Sequence, residues 1–282
     1  MSFDEGLAVG LALGKKRFSG GGDSDKWTYP ADWIQIPSPA SNEVYCVGTI
    51  SLYTSRTASV SFGHFRTDDP DYVGSIDWGD GVTTAITSSY MSHTYTDGTG
   101  HLTDSGMEQF LIKVTMEKPS LFGEVAIKTN SSYPFVLALA YGTETTFPEN
   151  IEYYSSTSIH QIQLPDNTIC PSIVGTYALK KIITPTKIVT PQNLNMCFSL
   201  EDIDLSEATS VNIIACHRII TLNLPKCKTA YIMNCYCLRE INAPLLMNAT
   251  IGNGYSLSKL VHADGATLNI SNCYNLFPNP AP

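Results

Sequence analysis

The C-terminal half of this 282-residue chain repeats itself every 19 residues. Leu200, Ile219, Leu238, Leu257 and Leu276 keep that spacing, and so do Ile203, Leu222, Ile241 and Leu260. Ile213, Ile232, Ile251 and Ile270 form a third register. Cys216, Cys235 and Cys273 form a fourth, in which Gly254 takes one cysteine's place. Two earlier units fit with small insertions: Leu179, Ile182, Pro185, Leu194 and Cys197, and before them Ile159, Ile162, Leu164, Pro165 and Ile173. A degenerate first unit begins near Val136. The unit reads L-x-x-I-x-L-P, a spacer, then I-x-x-C-x-x-L. One such unit cannot bury its apolar side alone, so the repeat predicts a solenoid in which each Leu, Ile and Cys lies above its equivalent. At about 4.8 Å per parallel strand, six to seven units over residues 133–282 make a rod of about 30 Å.

The register accounts for the cysteines. Cys197, Cys216, Cys235 and Cys273 are expected to form a buried ladder of small apolar side chains. Side chains that point in parallel make poor disulfide geometry, so free thiols are expected. Asn234, Asn253 and Asn272 precede the ladder position and are expected to stack, satisfying buried loop backbone. His262 shares the register of Leu205 and Leu224 and is expected to pack inward.

A candidate binding surface follows from strand alternation. In L-x-x-I-x-L the residue between the two inward side chains points outward. Those positions are Gln163, Ile183, Asp204, Asn223, Asn242 and Val261. Asp204, Asn223 and Asn242 make a polar strip with little charge, bordered by Glu201, Arg239 and Lys259. Such a strip suits a neutral glycan or a peptide backbone. Keeping the face soluble is the other role open to it.

The chain is weakly charged and acidic, with Lys+Arg 17 against Asp+Glu 26 and a net charge of −9. That balance disfavours nucleic acid, which needs clustered cations. No apolar run approaches the roughly 18–20 residues that span a membrane. No nucleophile elbow, zinc-helix, P-loop or dinucleotide motif occurs, and the six histidines lack metal-ligand spacing. No enzyme activity, metal or cofactor is expected. A pair of carboxylates acting on glycans stays open as a weak third reading, because their separation is a three-dimensional quantity.

Residues 27–132 read as a β-sandwich. Val44–Tyr53, Ala58–Phe62, Phe110–Met116 and Phe122–Lys128 have strand character, and Asp- and Gly-rich turns separate them. Asp77 and Asp80, with Asp68, Asp69 and Asp71 nearby, are read as turn residues in preference to calcium ligands. Trp27–Pro37, with two tryptophans and two prolines, is expected to lie extended over the sandwich. Residues 1–26 form a tail. Its apolar stretch Gly6–Gly14 is followed by Lys15-Lys16-Arg17 and the flexible Gly20-Gly21-Gly22. Positive charge after the apolar run reverses a signal peptide's polarity; two readings of the tail stay open, a disordered extension and a short docking segment hinged at its glycines.

Ser75-Ile76-Asp77-Trp78-Gly79-Asp80-Gly81, then His93-Thr94-Tyr95 and the strand at Phe110, resemble the polycystic-kidney-disease (PKD) repeat. That resemblance implies an immunoglobulin-like β-sandwich. The C-x-x-L and L-x-x-I-x-L-P elements resemble BspA-type leucine-rich repeats of bacterial surface proteins, which implies a leucine-rich-repeat solenoid with a parallel sheet. The tail, the glycine linker, W-x-x-P-x-D-W-x-x-I-P and DWGDG together resemble proteins of phage and prophage tail regions. What this implies is a virion-associated or cell-surface binding protein that contacts a host-surface glycan or protein. Its tail would dock to a virion or other partner. The alternative is a bacterial cell-surface adhesin.

Overall fold

A computed structural model describes residues 27–50, 56–66, 70–129, 136–145, 159–164, 170–183 and 191–276. The predicted tail, Asp68, Asp69, Pro165, Pro185 and the end of the strand predicted to reach Tyr53 lie outside these residues. The described chain is mainly β and contains one helical turn.

The first half builds two sheets. Strands β1 (Glu43–Ile50), β2 (Thr57–Phe62), β3 (Gly74–Asp77), β4 (Thr83–Ala85), β5 (Tyr90–Thr94), β6 (His101–Leu102) and β7 (Glu108–Met116) precede helix α1 (Pro119–Phe122). Strands β8 (Val125–Thr129) and β9 (Val136–Tyr141) follow it. One sheet runs β9-β1-β7-β3-β4 and the other β5-β2-β8. Alternation along β7 sends Phe110, Ile112, Val114 and Met116 into a cluster that also holds Val60, Ile127, Cys46 and Trp78. The expected strand Phe122–Lys128 begins late. Pro119 favours a first helical turn, Phe122 ends it inside the core, and Gly123 at φ 62° turns the chain before β8 starts.

The DWGDG turn is part of this core. Trp78 is fully buried, and its Nε1–H donates to Thr84 Oγ1 at 3.0 Å. The Tyr95 hydroxyl donates to the Trp78 carbonyl at 2.9 Å, and the His93 ring stacks on Trp78 at 5.2 Å. Gly79 has φ 83°, and a Cβ there would lie 2.6 Å from the Leu111 carbonyl oxygen, so no other residue fits.

The second half is a β-solenoid of parallel strands. Short strands β10 (Gln161–Gln163), β12 (Lys181–Ile183), β14 (Asp202–Ile203), β16 (Thr221–Asn223), β18 (Glu240–Asn242) and β20 (Lys259–Val261) alternate with longer ones. The longer strands are β11 (Cys170–Val174), β13 (Pro191–Asn195), β15 (Ser210–Ile214), β17 (Thr229–Met233), β19 (Asn248–Gly252) and β21 (Thr267–Ser271). The sequence periods become the register: Ile213, Ile232, Ile251 and Ile270 pair in turn, as do Leu222, Ile241 and Leu260. Each coil contributes two strands where the repeat suggested one. The second strand joins the end of the segment taken as a spacer to the Ile213-type register, and its alternation is plain in Thr229–Met233, with Ala230 and Ile232 buried and Thr229 and Tyr231 exposed.

The two halves share a sheet. Strand β9 pairs antiparallel with β1 on one edge and parallel with β10 on the other. The ladder continues through β12 to β14, while β16, β18 and β20 form a separate sheet. Trp27–Pro37 lies over this junction, reaching beyond the sandwich on which it was expected. Tyr29, Trp33, Ile34 and Ile36 cover Val47, Leu137 and Ala138. Trp27 stacks on His160 and Trp33 meets the same ring edge-on. The Ile34 N–H donates to Gln109 Oε1 at 2.8 Å and the Trp27 N–H to Glu201 Oε2 at 3.2 Å.

Candidate binding site on the solenoid

The predicted strip is only partly assembled. Asn223 and Asn242 are exposed neighbours on β16 and β18, and Asn242 Nδ2 donates to Asn223 Oδ1 at 3.0 Å. Asp204 is exposed but lies past the end of β14, in a different sheet from Asn223. Its Oδ1 accepts the Ser206 N–H at 2.9 Å, which is turn chemistry. Gln163, Ile183 and Val261 are half-buried. At the border, Glu201 is half-buried and tied into the fold: it accepts from Arg218 and the Trp27 N–H, with Lys180 Nζ at 3.8 Å. Burial, then the Arg218 charge, push the Lys180 ammonium below its ordinary range. Lys259 pairs with Glu240 at 2.5 Å, and Arg239 is exposed.

The cysteine ladder is present. Cys197, Cys216, Cys235 and Cys273 are buried free thiols. Burial pushes the Cys235 thiol up to about 11, which suppresses the reactive thiolate. Gly254 completes the register, and a Cβ there would meet Cys273 Sγ at 3.3 Å.

The asparagines stack for a reason different from the one expected. Asn234, Asn253 and Asn272 have φ of 58°, 53° and 54°, the left-handed region that asparagine tolerates. Gly175, Met196 and Ala215 occupy the same corner with φ of 72°, 55° and 54°. The amides bond one another and not buried loop backbone: Asn253 Nδ2 donates to Asn234 Oδ1 at 2.6 Å, and Asn272 Nδ2 to Asn253 Oδ1 at 2.7 Å. His262 is exposed and not packed; its Nδ1 lies 2.8 Å from the Ala263 carbonyl. Its coil lies at the edge of the described stack, where Leu260 is only half-buried.

Directly beside the cysteine and asparagine ladders runs a row of aromatic rings. Tyr177, Phe198, His217, Tyr236, Tyr255 and Tyr274 stack in succession, with centroids 5.0, 4.9, 4.7, 5.4 and 6.0 Å apart. Successive ring planes differ by no more than 10°. The tyrosines and Phe198 are 37–68% exposed. These centroid separations are in the range of offset aromatic stacking, with ring surface left open to water. Sequence reasoning missed this row, although its signal is simple. An aromatic residue immediately follows each ladder position: Thr176-Tyr177, Cys197-Phe198, Cys216-His217, Cys235-Tyr236, Gly254-Tyr255 and Cys273-Tyr274.

The acidic turns of the first half make local bonds. Asp77 Oδ1 accepts the Gly79 N–H at 2.9 Å, and Asp80 Oδ1 the Val82 N–H at 3.1 Å. The other oxygen of Asp80 meets His93 Nε2 at 2.7 Å. No helix among the described residues is long and apolar enough to cross a membrane. Comparison with protein families, curated proteins and solved structures finds no match to this chain.

Proposed function

We propose that this is a non-enzymatic binding protein of a phage or prophage tail region, which recognises a host surface through the flank of its solenoid. The observation that carries this reading is the aromatic row. Scattered exposed apolar residues are ordinary on a soluble protein, but a contiguous row of large ones marks an interaction surface. Solenoids commonly present binding surfaces of this extended kind. The Asn223 and Asn242 pair supplies a second, polar surface on the same solenoid.

The finer family assignments belong to the same proposal. DWGDG and HTY support a PKD-like, immunoglobulin-type first module, and the Leu, Ile and Cys registers support kinship of the coils with BspA-type leucine-rich repeats. The tail and glycine linker support docking to a virion.

The test is binding of the labelled full chain to a panel of candidate bacterial hosts. It compares the unmodified protein with Tyr236→Ala/Tyr255→Ala and with Asn223→Ala/Asn242→Ala. The tyrosine variant is expected to lose most cell binding. If it binds as the unmodified chain does while the asparagine variant fails, the binding face is the strip. If the unmodified chain binds no cells, the host-surface reading falls.

A further inference from the structure

We infer that the aromatic row is a track for an extended, uncharged polysaccharide, with one pyranose ring seated per coil. This deepens the host-surface reading and rests on it. The first observation is the step. Ring centroids advance by 4.7–6.0 Å, a spacing imposed by parallel strands about 4.8 Å apart. An extended, equatorially linked hexose chain advances by a comparable step per sugar, so it stays in phase with the rings along the whole row. An extended peptide advances about 3.3 Å per residue and is out of step by the next coil.

The second observation is the chemistry on either side of the rings. A pyranose has a C–H face and a rim of hydroxyls. Because stacked rings turn their faces toward one another, the row offers its open edges and the offset parts of its faces for the first, and the phenol hydroxyls of Tyr177, Tyr236, Tyr255 and Tyr274 for the second. The amides of Asn234, Asn253 and Asn272 stand two residues before the rings. Each ladder bond uses one of an amide's two N–H donors, which leaves hydrogen-bonding capacity for sugar hydroxyls.

The third observation is charge. The residues that follow the rings are Ala178, Ser199, Arg218, Cys237, Ser256 and Asn275. Arg218, the one cation in that row, is held by the Glu201 carboxylate. An anionic polymer therefore meets no unpaired cation there, and a neutral one loses nothing. The row is also an open surface, which suits a long chain that gathers small contacts over many coils better than a small molecule that needs enclosure.

The experiment is affinity electrophoresis of the full chain through gels containing neutral polysaccharides (a mixed-linkage β-glucan, a galactomannan, an arabinoxylan, dextran) or the anionic hyaluronan. Oligosaccharides of two to six sugars from any retarding polymer are then titrated. Retardation by at least one neutral polymer but not by hyaluronan is expected, with affinity rising from dimer to hexamer. Tyr236→Leu/Tyr255→Leu keeps apolar bulk, and an unchanged melt shows that the coils hold. It should weaken binding about tenfold or more, whereas Tyr236→Phe/Tyr255→Phe, which keeps the rings and loses only the two hydroxyls, should weaken it less than the leucine variant does. No retardation by any neutral polymer, equal affinity for dimer and hexamer, or a leucine variant that binds like the unmodified chain would overturn the inference. Host-cell binding that depends on the row but is not competed by neutral polysaccharide sinks the glycan assignment and keeps the host-surface reading. Failure of the unmodified chain to bind any cell, with glycan retardation intact, sinks the latter alone.

Discussion

Ala215 and Met196 hold a left-handed backbone that costs a non-glycine residue about 1–2 kcal/mol, and the next three coils put asparagine at the same corner. Ala215→Asn should relieve part of that cost and add one amide to the ladder that begins at Asn234. A gain of about 1 kcal/mol is expected, read as a rise of roughly 2–4 °C in the melting midpoint. A lower midpoint would show that the corner is held by something other than its φ. Cys235→Ser places a hydroxyl in an apolar row and should cost about 1–3 kcal/mol in a denaturant melt. Native Cys235 should label with a thiol reagent only as fast as the protein opens. In the first half, Arg56 meets Glu108 at 2.5 Å, and both are mostly buried. Burial raises the Glu108 carboxyl, but Arg56 and the Gly100 N–H outweigh it and hold the group below its ordinary range. A carboxyl depressed on folding stabilises fully above its unfolded value near 4.5, and that contribution is lost as pH falls through the lower folded value. Glu108→Gln should cost about 3 kcal/mol at neutral pH and flatten the acid limb of the stability profile. An acid limb as steep as before would assign that loss to other carboxylates.

At the scale of elements, what the sequence made legible was periodicity of one residue type. Leu, Ile and Cys at intervals of 19 announced the stack, and the registers of Ile213 and of Leu222 became strand pairings. The second strand of each coil was harder to see, because only one of its two inward positions is constant: Ile213, Ile232, Ile251 and Ile270 hold the register, while Val211, Ala230, Ala249 and Leu268 vary. The aromatic row was obscured in a similar way, since Phe, His and Tyr share a shape and not a letter. The break between β14 and β16, across which no strand ladder runs, has no counterpart in the period at all. The segment Trp27–Pro37 was legible as an extended cover, but its seat was not. That seat is made of residues far apart in sequence, Val47 and Leu137 with Glu201 beyond them. Trp33→Ala should therefore cost about 2 kcal/mol by opening the apolar packing across the junction to water. A loss below about 0.5 kcal/mol would show that the segment rests on the sheet without holding it.

At the scale of the molecule, the shared strand β9 makes the two halves one folding unit. Its residues Val136–Tyr141 are all buried, and both of its edges carry ladder bonds. Trp27, Trp33 and Trp78 all lie in the first part, while the solenoid carries the stacked tyrosines. Tryptophan fluorescence and tyrosine ellipticity should then report coincident unfolding transitions. Two separated transitions would mean that the solenoid melts away from β9. The coils themselves have a consequence for how such a chain can change over generations. Thr229–Met247 makes the same bonds to the coil before it as to the coil after it. A tandem copy of those 19 residues would slide in as one more layer, with every flanking residue keeping its old neighbours. Most inserted segments disrupt a β fold, whereas this one would only add a storey. Reach could thus be inherited in whole-number steps through slippage of the gene, and single substitutions would be left to alter what each storey displays.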